Sequence, residues 1–79
     1  MKKIVPHPIN NVSELQFNNK LEQRVWLTVY DVVGRELFKQ ETTQNSFQLN
    51  RAMFSLSGFY LYSIVYANGN IAQGKLVVE

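Results

Sequence analysis

Seventy-nine residues, 46% of them apolar and 13% aromatic, make one domain near the lower size at which a chain supports its own core, and they exclude a disordered segment. The formal net charge is +2 and the charges are scattered, so no basic stripe points to nucleic acid. Cysteine is absent, which removes both a disulfide framework and thiolate chemistry.

Met1-Lys2-Lys3 has the charge of a signal-peptide start, but only Ile4 and Val5 follow before Pro6. A secretory apolar region needs roughly 7–15 residues, and a membrane span roughly 18 or more. Residues 1–5 therefore read as a linker or an appended remnant, and the domain as 6–79. Pro6-His7-Pro8 predicts an extended entry segment that cannot pair as a central strand. Asn10-Asn11 turns the chain, and Val12 to Phe17 is a short strand with Leu15 and Phe17 on one face. Asn18, Asn19 and Lys20 form a polar break.

Val25 to Asp31 alternates strictly, with Val25, Leu27 and Val29 opposed to Trp26, Thr28 and Tyr30, as a half-buried strand requires. In Asp31-Val32-Val33-Gly34 the Asp can bond nearby amides and the Gly can take the left-handed conformation, which predicts a type I turn closed by a glycine bulge. A non-glycine residue in that conformation costs about 1–2 kcal/mol, so Gly34 and Gly58 are first of all backbone devices. Arg35 to Glu41 returns. Ser46 to Asn50 is a strand with Phe47 and Leu49 inward, and Arg51 to Leu56 allows only a helical turn.

Phe59 to Ala67 is rich in aromatic and β-branched residues, and Asn68-Gly69 after it predicts a type I′ hairpin turn. Ile71 to Val78 completes the hairpin, with Ile71, Gln73, Lys75 and Val77 on one face and Ala72, Gly74, Leu76 and Val78 on the other. Six or seven short strands with turns every 8–12 residues predict an all-β, immunoglobulin-like antiparallel sandwich. Tyr60 is expected in the core with its hydroxyl bonded.

Candidates for chemistry are few. His7 has no second ligand at metal spacing and no partner nucleophile. Glu14 and Glu22 sit in polar contexts without the cleft that a carboxylate pair needs. No glycine-rich phosphate loop occurs. The expectation is therefore a non-enzyme without cofactor or metal. Trp26, Tyr30, Tyr62 and Tyr66 could instead form an aromatic platform for sugars. The long apolar edge of the final hairpin predicts weak homodimerisation.

Several pieces in order resemble a known family. Pro6-His7-Pro8 resembles a Pro-Asn-Pro entry, and Val29 to Leu37 resembles an "I-x-D-x-x-G-K/R-x-V" hairpin. Leu56-Ser57-Gly58-Phe59-Tyr60-Leu61 resembles "L-x-x-G-x-Y", and Gly74 to Val78 resembles a terminal "K-x-V-V". Together they resemble the C-terminal sorting domain of proteins exported by the type IX secretion system of Bacteroidetes. His7 departs from the family's Asn, and Glu79 stands where a basic or neutral residue is commoner.

The resemblance implies a domain at the end of a larger cargo protein, which crosses the periplasm and is then delivered to the cell surface or the surroundings. The implied partners are the cargo domain, the outer-membrane channel and a sortase that removes the domain. Lys75, Leu76, Val77, Val78 and Glu79 are the expected recognition residues. Pro6, Pro8, Asp31, Gly34, Gly58, Tyr60, Asn68 and Gly69 are the expected structural motif. The alternative is an immunoglobulin-like accessory or carbohydrate-binding module of an exported enzyme.

Overall fold

The computed structural model describes residues 2–79. Met1, the first residue of the expected linker, lies outside the described residues. Seven strands form two antiparallel sheets. β1 (Lys3–Val5), β2 (Val12–Gln16) and β5 (Ser46–Asn50) make one, in the order β1-β2-β5. β3 (Val25–Tyr30), β4 (Glu36–Thr42), β6 (Gly58–Tyr66) and β7 (Ile71–Val78) make the other, in the order β4-β3-β6-β7. A 3₁₀ turn, Arg51–Met53, joins the sheets, with the Asn50 carboxamide oxygen accepting from the Ala52 amide.

Alternation dictates the core. Leu15, Phe47 and Leu49 face inward from one sheet, and Val25, Leu27, Val29, Ile64 and Leu76 from the other, all at 0–2% exposure. Phe54 closes one end of the core, tilted against Tyr60 at 4.8 Å between ring centroids and edge-on to Phe38 at 5.6 Å. An apolar interior of this kind contributes most of a small domain's stability.

Three expectations change. Lys3–Val5 is not linker: it pairs with Gln16, Leu15 and Glu14 as an edge strand. Pro6-His7-Pro8 bends instead of running extended, because Val5 is already paired and the chain must reverse before Ile9. Ile9 itself is fully buried. The Asn68-Gly69 turn is not type I′: only Gly69 has positive φ, at 93°. Tyr66 N–H donates to Asn70 O and Gly69 N–H to Tyr66 O, which makes a three-residue loop closed by a glycine bulge. The Asp31 hairpin has the same plan, with Gly34 at φ 92°. Leu37 adds a second irregularity, because the register slips between Val29–Phe38 and Tyr30–Glu36.

Candidate recognition surface at the tail

β7 is an edge strand with a close-packed inner face. Gly74 lies opposite Tyr62, and a Cβ there would come within 2.8 Å of the ring's Cε2. Glycine lets the tyrosine lie flat on the strand. Leu76 and Val78 enter the core at 0% and 1% exposure, while Lys75 and Glu79 are exposed and Val77 is half-buried. The five expected recognition residues therefore divide: two are core side chains, and three reach the surface.

The end of the strand is tied down on its outer edge. Ile9 N–H donates to Val77 O and Glu79 N–H to Ile9 O, both at 2.9 Å, in a parallel bridge. Val77 N–H donates to His7 Nε2 at 3.0 Å. Arg51 Nε donates to Glu79 O at 2.8 Å, and Asn10 Nδ2 to Glu79 Oε1 at 3.3 Å. The bend that carries His7 is itself held, with Ser13 Oγ donating to Pro6 O at 2.6 Å. Only the outer edge from Ile71 to Lys75 has no neighbouring strand among the described residues. His7, Ile9, Asn10 and Arg51 are the participants that sequence reasoning missed. Nothing local marks them, since each acts on a partner 28 or more residues away.

Lys75 Nζ sits 5.4 Å from the centroid of Phe59, a ring that is 57% exposed. Among the described residues the ion pairs are Arg24–Glu41, Arg35–Asp31 and Lys39–Glu36, none of which engages Lys75. Its charge faces solvent and an aromatic face, an attraction of about 0.5–1 kcal/mol at an exposed site.

Register brings the other motif residues to this same end. Val77 pairs with Phe59, Lys75 with Leu61, and Leu61 with Tyr30, next to Asp31. Asp31 Oδ1 accepts from the Val33 and Arg35 amides, and Oδ2 from Arg35 Nε at 2.7 Å. The Arg35 amide bond is the largest of the effects that hold the Asp31 carboxyl below its ordinary value; partial burial opposes it, and the guanidinium adds to it. Tyr60 is buried and its hydroxyl donates to Leu56 O at 2.6 Å, beside Gly58 at φ 132°. Asn68 and Gly69 do not join this group. They cap the other end of β6 and β7, where Lys2 lines a hollow together with Phe17, Tyr66 and Ala72.

The chain thus starts at one end of the sandwich and finishes at the other. β6 has nine residues. At about 3.3 Å each it fits only along the 34 Å axis of a body measuring 34 × 24 × 18 Å. A hollow of about 570 Å³, lined by polar groups such as Asn18 and Glu14, is at the start end beside Lys3. The aromatic platform is not assembled: Tyr62 and Tyr66 face inward, whereas Trp26 and Tyr30 lie on the opposite face of their sheet. No group of three His, Cys, Asp or Glu able to hold a metal occurs among the described residues.

Lys3 and Val78 thus lie toward opposite ends of a small all-β sandwich. The sequence matches the family model of the secretion system C-terminal sorting domain over residues 3–79, and the chain belongs to that family, the sorting domains of type IX secretion. No curated protein matches the sequence. Membership implies attachment to a cargo protein, contact with the secretion system, and export across the outer membrane to the cell surface or beyond.

Proposed function

We propose that the folded domain is the address, recognised by the outer-membrane channel through Lys75, Val77 and Glu79, with Leu76 and Val78 holding those three in place from the core. The domain acts on a cargo in transit through the periplasm and is afterwards removed by a sortase. It performs no chemistry of its own. The observation that carries this reading is the pinned tail, with Lys75 left without a carboxylate partner among the described residues. A cargo joined before Lys3 meets the far end of the sandwich and leaves the tail accessible.

Deleting Leu76 to Glu79 would not isolate the address, because it removes two core side chains along with it. The test is a fusion of residues 3–79 behind a periplasmic reporter in a bacterium with type IX secretion. The reporter should leave the cell with the domain and stay in the periplasm without it. Equal retention in both cases contradicts the proposal. The open Ile71–Lys75 edge also supports weak self-association. A concentration-independent monomer in sedimentation would dismiss that part.

A further inference from the structure

Three loop side chains at the tail end are apolar and exposed: Val32 at 66%, Val33 at 74% and Leu56 at 71%. Turn positions are ordinarily polar, and none of the three is needed for its turn. The Asp31 hairpin is closed by the Asp31 carboxylate and Gly34, and Leu56 takes part in the Tyr60 bond only through its backbone carbonyl. With Phe59 they line a shallow cleft of about 380 Å³, flanked by Arg35. Lys75 lies over the same Phe59 ring. An apolar cleft thus adjoins a cation that has no carboxylate partner among the described residues.

We infer that this cleft docks an apolar segment of a secretion-machinery protein, with a carboxylate of that segment meeting Lys75. This rests on the address reading above and extends it from the tail strand to the Asp31–Gly34 and Leu56–Phe59 loops.

Two observations choose this occupant over others. A cargo joined before Lys3 attaches at the opposite end of the sandwich from the cleft. A second copy would bring no free carboxylate from its own cleft to Lys75, because the carboxylate that lines the cleft, Asp31, is engaged by Arg35. The unpaired cation selects a partner with a negative charge, and such charges set specificity and encounter rate more than affinity.

The test uses the reporter fusion with residues 3–79 carrying V32S, V33S and L56S together, and a control carrying V32I and V33I. All of these side chains are exposed, so the melting temperature should stay close to wild type in both. Export should fall at least about tenfold in the triple serine variant, equivalent to the loss of ~1.4 kcal/mol of docking free energy, and should persist in the isoleucine control. Wild-type export by the triple variant overturns the inference and leaves the address reading standing. A wild-type fusion that is not exported removes both. Two further results would overturn the assigned occupant. One is wild-type domain that sediments with phosphatidylethanolamine–phosphatidylglycerol vesicles while the triple variant does not. The other is self-association that the triple variant abolishes.

Discussion

Gly74→Ala tests whether the tail strand is seated by the Tyr62 ring. The added Cβ would lie within 2.8 Å of Tyr62 Cε2, and that tyrosine is only 5% exposed, so its ring cannot swing freely into solvent. Overpacking a fitted site costs about 1–3 kcal/mol. Replacing glycine by alanine in a strand returns about 0.5–1 kcal/mol through the unfolded chain. These ranges leave about 0–2.5 kcal/mol, and so enclosed a ring places the net loss in the upper part, about 1–2.5 kcal/mol, against a total of roughly 4–12 kcal/mol for a domain of 79 residues. At about 4–8 °C per kcal/mol, the midpoint of a circular-dichroism melt should fall by about 4–20 °C. The decisive assay is a double-mutant cycle with Tyr62→Leu, in which Gly74→Ala should become neutral or mildly stabilising. An equal loss in both backgrounds, or a stabilised single mutant, would refute the proposed seating.

Other consequences concern the pinned tail and pH. Arg51→Ala frees the Glu79 and Phe54 carbonyls. Because the side chain is half-buried, the expected cost is about 1 kcal/mol, with faster amide exchange at Glu79; unchanged exchange there would show that the clamp is idle. The Asp31 carboxyl is held below its ordinary 3.8, so its contribution is complete at neutral pH and lost as pH falls through the folded value. Acid melts of Asp31→Asn should accordingly be flatter than wild type over that range. Burial pushes the Tyr62 phenol above 10.0, so the fold favours the neutral form. That advantage is present below pH 10 and lost as pH rises through the raised value. Tyr62→Phe should show a smaller alkaline loss of stability than wild type, and parallel alkaline curves would contradict the assignment.

Strands were legible where alternation is strict. Val25, Leu27 and Val29 share one face of their strand, as Leu76 and Val78 do of theirs, and the structure buries those faces, while Ile71 on the other face stays exposed. The turn at Asp31 was legible because a carboxylate and a glycine at fixed spacing close it locally. Asn68-Gly69 misled because two loop geometries share the dipeptide, and the choice rests on the Tyr66–Asn70 pairing. Asn19 looked like a solvated break, yet it is buried and its Nδ2 bonds the carbonyls of Gln23, Thr43 and Gln44. The ties from His7, Ile9 and Arg51 to the tail cross most of the fold, and no local pattern encodes them. The tail from Lys75 to Val78 was visible as a motif, and alternation separated Leu76 and Val78 from Lys75 and Val77; the burial of Leu76 and Val78 in the core came from the structure.

The most direct measurement compares surface delivery of a cargo fused ahead of residues 3–79 with and without Lys75→Glu, each domain first shown by thermal melting to be folded. The charge reversal forfeits only the contact with Phe59, about 0.5–1 kcal/mol, so the fold should survive. A folded tail read by the export machinery predicts wild-type cargo outside the cell and Lys75→Glu cargo held in the periplasm. Undiminished delivery of the folded Lys75→Glu fusion would contradict it.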